Sequence, residues 1–202
     1  MTPEPERHYH SGLDLGQAAD YSALVVVERV RTVNECKDVR IDYGVRYVKR
    51  WHLGTSYTII AADLKEKFAN EPLAKSTLAI DRTGVGRGVS DMIRDSGINA
   101  VCRAYTITAG CKPNSGTVPK RELVAAIQVP IQQRRLTFAD SLPMTDVLQK
   151  ELELFRVKVT ADRNETFESW RERDHDDIVL ALALALYAGR TTNFACGVVE
   201  LR

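Results

Sequence analysis

The stretch Ser11-Gly-Leu-Asp-Leu-Gly16, followed after a short polar segment by Ala23-Leu-Val-Val-Val-Glu28, decides the fold of this chain. Two short runs of apolar and β-branched residues on either side of a turn are typical of a β-hairpin. The segment from Arg40 to Trp51 roughly alternates apolar and polar residues, which predicts another strand. The chain is therefore expected to open with three antiparallel strands.

Helices and strands are predicted to alternate after these hairpins. Ser56 is a candidate N-cap for a helix that ends near Asn70. A short strand from Thr77 to Ile80 ends in Asp81, and a glycine-rich loop, a helix and a strand from Ala100 to Ile107 follow. Two strands joined by a helix should lie parallel. The predicted fold class is α/β, with a mixed central sheet of three antiparallel and then parallel strands, flanked by helices.

The second half of the chain is predicted to begin with an exposed loop from Thr106 to Val118. Pro119 suits the first turn of a helix, which Pro130 should kink or restart. The remaining predictions are a short strand at 136–138, a helix at 144–155, a pair of strands within 157–170, and a buried helix from Asp177 to Ala188 that is apolar on all sides.

Length and composition indicate one globular domain. The 202 residues match the ~100–200 of a single domain, and we divide them into a flexible tail or linker remnant at 1–10 and one domain at 11–202. A net charge of +1 excludes bulk positive charge as the force that draws the chain onto nucleic acid or membrane. Cysteines without close pairing and the lack of an export signal predict a cytoplasmic protein.

Acidic residues fall at the predicted ends of three elements. Asp14 lies in the first strand, Asp81 ends the 77–80 strand, and Asp174, Asp176 and Asp177 stand at the start of the last helix. Buried carboxylates are costly unless cations neutralise them, and ligands that are all oxygen favour Mg²⁺ or Mn²⁺ over Zn²⁺. Taken singly, each acid could instead serve as a turn former or a helix cap. Taken together, they favour a site for two divalent cations.

Three motifs are informative together: Gly12-Leu-Asp-Leu-Gly16, Ala79-Ile-Asp-Arg-Thr-Gly-Val-Gly86 and His175-Asp-Asp-Ile-Val-Leu-Ala-Leu-Ala183. They resemble the nuclease domain of bacteriophage large terminase subunits, in the RNase H-like superfamily. The resemblance implies a two-metal endonuclease that cuts concatemeric double-stranded viral DNA during packaging, with little sequence preference, in the cytoplasm of the bacterial host. It assigns Asp14, Asp81 and Asp177 as catalytic acids and metal ligands, Asp176 as an auxiliary ligand, and Asp174 as similar to an extra acid of junction resolvases.

The same resemblance implies partners that this sequence does not itself supply. The chain has no G-x-x-x-x-G-K-[ST] phosphate loop, so a packaging ATPase, a small terminase subunit and a portal would be contributed by other parts of the system. The chain is either an excised domain or a free-standing nuclease. Local cations should contact DNA phosphates, with Arg87, Lys120 and Arg121 as the principal candidates. Further cations in this group are Arg82, Lys112, Arg134 and Arg135.

Other interpretations of the same residues remain open. A junction resolvase similar to RuvC would use the same acids on branched DNA. The Asp-Leu-Gly motif also resembles the first phosphate loop of actin-like ATPases and sugar kinases, which would make the chain a nucleotide-binding module. A docking module descended from a nuclease is a third alternative. His175 could orient a ligand or form an ordinary hydrogen bond at the entry to the helix.

Overall fold

The computed structural model describes residues 3–16, 20–84, 86–109, 116–139, 141–161 and 176–191. The strands in this part of the chain are β1 (Glu6–Asp14), β2 (Ala23–Val33), β3 (Val39–Arg50), β4 (Thr77–Asp81), β5 (Val101–Thr108), β6 (Thr117–Pro119) and β7 (Leu136–Phe138). The helices are α1 (Tyr57–Lys67), α2 (Gly86–Asp95), α3 (Lys120–Gln132), α4 (Thr145–Ala161) and α5 (Asp177–Thr191). None of these helices is both long enough and apolar enough to cross a membrane.

The strands form one mixed sheet in the order β6-β5-β4-β1-β2-β3-β7. β1, β2 and β3 are antiparallel neighbours, whereas β4, β5 and β6 continue the sheet in parallel from β1, and β7 lies parallel to β3. The predicted mixed sheet, with antiparallel and then parallel strands, is confirmed. All the strands except β2 run in the same direction, so their carboxyl ends lie at one edge of the sheet.

Both faces of the sheet are covered, which explains the uninterrupted apolar run of β2. Ala23, Val25 and Val27 face a core shared with α3, α4 and α5. Leu24 and Val26 point to the other face and pack with α1 and α2. Because side chains alternate between the two faces of a strand, a strand that is buried on both faces must be apolar at every position.

Helix α5 packs directly against β1 because glycine at position 12 leaves room for it. A Cβ atom on Gly12 would lie 1.9 Å from the carbonyl oxygen of Ala181 and 2.7 Å from the amide nitrogen of Ala185. At the other end of the helix, a Cβ on Gly189 would meet the His10 ring at 3.2 Å. Residue numbers rise along α5 as they fall along β1, so the two elements run in opposite directions. The start of α5 therefore lies near the end of β1.

The predicted N-terminal tail is corrected by β1, which begins at Glu6. Residues 6–10 pair with the far end of β2, and Glu6 lies opposite Arg31. Residues 6–10 lack the apolar pattern of a strand because this part of β1 extends past the core. Ion pairs such as that between Arg7 and Glu28 hold it in the sheet. His8 and His10 thus belong to a strand of the sheet. The predicted domain boundary at residue 11 moves accordingly.

Two further predictions are also wrong. The β-branched residues at 157–160 suggested a strand, but α4 continues as a helix to Ala161; residues 162–170, the rest of the predicted strand pair, lie outside the described residues. Helix propagation from the preceding turns overrides the local preference of these residues. Helix α3 passes through Pro130 and ends at Gln132, so the proline removes only one hydrogen bond, close to the end of the helix.

The burial of His10 gives the fold a pH dependence. His10 is 2% exposed, neither ring nitrogen has a hydrogen-bond partner among the described residues, and burial lowers its pKa to about 4, assisted by Arg29, His8 and Arg103. Between pH 6.5 and 4 the unfolded chain takes up a proton at His10 that the folded chain does not. We therefore expect the free energy of unfolding to fall across this range by up to about 3 kcal/mol from His10.

The substitution His10→Phe isolates this contribution. It retains a buried ring and removes the titrating group, so the difference in stability between the variant and the wild type should move in the variant's favour as the pH falls. Urea unfolding of both proteins at pH 7 and pH 4.5 measures this difference. The same difference at both pH values would contradict the assignment.

Candidate active site

Asp14 and Asp81 lie side by side at the carboxyl edge of the sheet. β1 and β4 pair in parallel up to Leu13 opposite Ile80, so the next residue of each strand places Asp14 beside Asp81. Neighbouring strands are ~4.8 Å apart. Both carboxylates point to the face that carries α5, since Gly12 and Ala79 precede them by two positions. Asp14 is 8% exposed and Asp81 is 2% exposed.

Asp177 approaches the same edge from the layer above the sheet. It is the first residue of α5 and is buried. Because α5 runs opposite to β1 with Ala181 above Gly12, the helix start lies toward Asp14. The structure thus brings the three predicted catalytic acids to one end of one face. Asp176 immediately precedes Asp177 and is half-buried, whereas Asp174 and His175 lie outside the described residues.

Arg50, which the sequence analysis did not select, is bonded to Asp177. It ends β3 opposite Ala23, and Ala23 in turn lies opposite Asp14, so Arg50 belongs to the same row of residues across the sheet. Its Nε donates to Oδ2 of Asp177 at 2.6 Å and its Nη2 donates to Oδ1 at 2.6 Å. The ring of Tyr21 stacks on the guanidinium, with 4.4 Å between its centroid and Cζ. Asp177 is therefore held at both oxygens.

Glu151 of α4 connects Arg50 to the start of α5. Its Oε1 accepts from Arg50 Nη2 at 2.8 Å, and its Oε2 accepts from the backbone N–H groups of Ile178 and Val179, both at 3.1 Å. A carboxylate at a helix N-terminus satisfies free N–H groups and interacts favourably with the helix dipole. Burial, followed by the charge of Asp177, raises the pKa of Glu151 to about 8, against the lowering effect of the Val179 hydrogen bond and Arg50.

The sequence did contain a signal for each of these two residues. Glu151 follows Leu148 by three positions and precedes Phe155 by four, which places it on the buried face of α4 rather than among the solvated positions. Arg50 follows the buried Val48 by two positions and so faces the same core. A charged residue at a core position of its element indicates a buried partner, and the partners here are distant in sequence.

Thr83 fixes the side chain of Asp81. Oδ1 of Asp81 accepts from the backbone N–H of Thr83 at 2.8 Å and also from the Thr83 hydroxyl. The same hydroxyl oxygen accepts from the backbone N–H of Ile107 at 2.8 Å, which ties the loop after β4 to β5. One oxygen of Asp81 is thereby held in place by the loop. Sequence analysis had selected this loop for its glycines and overlooked its threonine.

The donor chemistry of the acids fits a hard divalent cation. Asp14, Asp81, Asp176 and Asp177 offer carboxylate oxygens, the ligands that Mg²⁺ and Mn²⁺ prefer. In the described part of the chain, no three His, Cys, Asp or Glu side chains lie close enough to form a ready metal site. Beside Asp177, the positive charge is supplied by Arg50.

The candidate DNA-contacting residues divide between the two edges of the sheet. Arg87 is exposed at the start of α2, directly after β4, and Lys120 and Arg121 start α3 directly after β6. These three residues therefore lie at the edge that carries the acids. Arg134 and Arg135 precede β7 and lie at the opposite edge, so the structure does not bring them to the site.

The remaining two cations on that list have other positions. Arg82 is bonded within the chain, donating from Nε to the Thr106 hydroxyl at 3.0 Å and from Nη2 to the Gly116 carbonyl at 3.3 Å. Its guanidinium thus supports the loop after β4. Lys112 lies outside the described residues.

The fold and the site together define a class: an α/β domain with a mixed sheet and buried acids at the carboxyl edge of that sheet. No family model matches the chain. The terminase large subunits of Thermus virus P23-45 and Thermus phage G20c are each 25% identical to it over 181 residues, which is 90% of this chain and 32% of the relative. The resemblance to large terminase subunits that the motifs indicated is confirmed. The chain spans about a third of the length of these relatives.

Solved structures of Thermus thermophilus RuvC are also similar to this chain. The complex with a Holliday junction substrate aligns with a TM-score of 0.42 and 14% identity, covering 91% of this chain and 96% of the RuvC chain. A second RuvC structure aligns with a TM-score of 0.41 and 12% identity, covering 92% and 97%.

Proposed function

We propose that this chain is the divalent-metal-dependent endonuclease of a viral DNA-packaging terminase, which cuts concatemeric double-stranded DNA with little sequence preference. The observation that carries the proposal is the pair Asp14 and Asp81, adjacent and buried beneath the helix that begins with Asp177. Neighbouring buried carboxylates repel one another and are stabilised by a cation. The similarity to terminase large subunits supports the viral context.

The acids would hold two Mg²⁺ or Mn²⁺ ions, with Asp14, Asp81, Asp176 and Asp177 as ligands. When bound, such ions supply Lewis acidity and charge neutralisation for an in-line displacement at a phosphodiester. The protein contributes fixed ligand positions: Thr83 holds Asp81, and Arg50 holds Asp177. This preorganisation is needed because ligands that must reorient during the reaction stabilise its transition state less.

The cations at the same edge of the sheet would position the DNA. Arg87, Lys120 and Arg121 begin helices that follow β4 and β6, so they flank the acids at the carboxyl edge. Contacts to phosphates fix the position of a duplex without reading its sequence. Cleavage with little sequence preference follows from such contacts. In the full packaging system, an ATPase domain, a small terminase subunit and a portal would act with this nuclease.

Cleavage of plasmid DNA tests the proposal. We expect the purified chain to nick and then linearise supercoiled plasmid in Mn²⁺ or Mg²⁺. It should lose this activity when a chelator removes the ions, because the carboxylates alone supply no Lewis acid. A synthetic four-way junction and a linear duplex of the same sequence serve as additional substrates. Absence of cleavage by the folded chain in either ion would contradict the proposal, and strong preference for the junction would favour the resolvase alternative.

A further inference from the structure

The contact between Arg50 and Asp177 has the geometry of a buried fork. Two nitrogen atoms of one guanidinium reach the two oxygen atoms of one carboxylate at 2.6 Å, and the side chains are only 13% and 6% exposed. Such two-point contacts fix both the direction and the rotation of a carboxylate. A carboxylate offers about four lone-pair positions, so Asp177 has acceptor capacity beyond this fork.

Glu151 also fixes the guanidinium, through the same Nη2 nitrogen that donates to Asp177. One Glu151 oxygen accepts from Nη2 of Arg50, and the other accepts from two backbone N–H groups in the first turn of α5. Asp177 belongs to that same turn. Arg50 of β3 and Glu151 of α4 therefore connect both of these elements to the start of α5, and together they fix the orientation of the Asp177 carboxylate.

The charge of Arg50 also bears on any cation that binds Asp177. An ion on the remaining lone pairs of Asp177 would share this carboxylate with a guanidinium of the same sign of charge. At buried positions such repulsion is weakly screened, and it acts with the doubled charge of a divalent ion. The contact that orients Asp177 thus opposes the binding of the ion.

We propose that Arg50 is a positioning residue with two opposed effects: it fixes the Asp177 carboxylate for the reaction, and it weakens the binding of the divalent cation there. The inference deepens the proposed metal-dependent nuclease and rests on it. Its consequence is a site whose third acid stays oriented before any ion binds. Removal of the guanidinium should therefore raise the affinity for the ion and lower the rate of cleavage.

Two substitutions at position 50 distinguish the effects of charge and of shape. Arg50→Gln removes the positive charge and the fork together. Arg50→Lys keeps a positive charge but replaces the planar fork with a point charge. The matched control is Arg46→Gln. Arg46 lies on the same strand and also bonds a buried carboxylate, with Nε and Nη2 at 2.9 and 2.7 Å from the single oxygen Oε2 of Glu28, on the opposite face of the sheet from the acids.

The affinity for Mn²⁺ is measured by calorimetry on the full chain, and cleavage is measured at saturating Mn²⁺. We expect Arg50→Gln to bind Mn²⁺ at least about tenfold more tightly and to cleave at least about tenfold more slowly. Arg50→Lys should keep the Mn²⁺ dissociation constant within about threefold of the wild type while also cleaving more slowly. Arg46→Gln should leave both quantities unchanged. A purely structural role for Arg50 would not tighten Mn²⁺ binding.

The outcomes separate this inference from the function on which it rests. If the wild type binds Mn²⁺, Asp81→Asn does not, and a folded Arg50→Gln binds no more tightly than the wild type, the inference is overturned and the nuclease stands. If the wild type binds no Mn²⁺, both are overturned. If circular dichroism shows that Arg50→Gln does not fold, Arg50→Lys decides, since cleavage by it at the wild-type rate would overturn the positioning role.

Discussion

Asp81→Asn is expected to reduce metal-dependent cleavage by about a thousandfold or more, because a lost ligand charge at a metal site removes several kcal/mol of transition-state stabilisation. The fold should persist. The asparagine oxygen can still accept from the N–H of Thr83, which bonds Asp81 at 2.8 Å, and the neighbouring Asp14 loses a like charge beside it. Rates of plasmid nicking in Mn²⁺ and thermal melting without metal measure the two effects.

Asp42→Asn is the matched control for this substitution. Asp42 lies near the start of β3, at the edge of the sheet opposite the acids, where it pairs with Arg40. Its loss should leave cleavage unchanged. Cleavage by Asp81→Asn at the wild-type rate would disprove the assignment of this acid. If Asp81→Asn melts far below the wild type, Asp14→Asn provides the same test from the neighbouring strand.

Gly12→Ala is expected to lower the free energy of unfolding by more than about 3 kcal/mol, or to prevent folding, because overpacking against backbone cannot be relieved by rotation of a side chain. The added Cβ would lie 1.9 Å from the Ala181 carbonyl oxygen, so α5 must move away from β1. The same movement would separate Asp177 from Asp14. Urea unfolding measures the stability, and plasmid cleavage by any folded fraction measures the displaced acid.

Gly88→Ala is the control with the opposite expected sign. Gly88 lies within α2, and a Cβ there would meet nothing within 4 Å. Alanine at this position should raise the stability by up to about 1 kcal/mol through helix propensity. A loss of less than 1 kcal/mol in Gly12→Ala would show that α5 can shift without cost, contrary to the packing described here.

The sequence predicts those elements whose signal is local. The hairpins, α1 with its Ser56 cap and the buried α5 follow from periodicity and capping within each segment, and the structure contains all of them. The placement of Asp14, Asp81 and Asp177 at the ends of elements was also visible locally. Their approach to one another depends on the parallel pairing of β1 with β4 and on the packing of α5 against β1, and neither contact was predicted from the sequence.

The contacts that complete the site could not be predicted because they join distant segments. Arg50 and Asp177 are 127 residues apart, and Arg50 and Glu151 are 101 apart. Each residue occupies a core-facing position of its own segment, which indicates a buried partner, but the segment alone does not identify that partner. The start of β1 was missed for a related reason, since residues 6–10 gain their strand partner from the end of β2 rather than from their own apolar pattern.

The sequence distance between α5 and β1 leads us to expect a definite order of assembly for the site during folding. β1 to β4 lie within the first 81 residues, so the pair Asp14 and Asp81 can form early from nearby segments. The third acid arrives only when a helix that begins at residue 177 closes a long loop onto β1, an entropically costly step that favours late docking. We therefore expect a partly folded chain to bring Asp14 and Asp81 together before Asp177 reaches them, so that the site is completed late in folding.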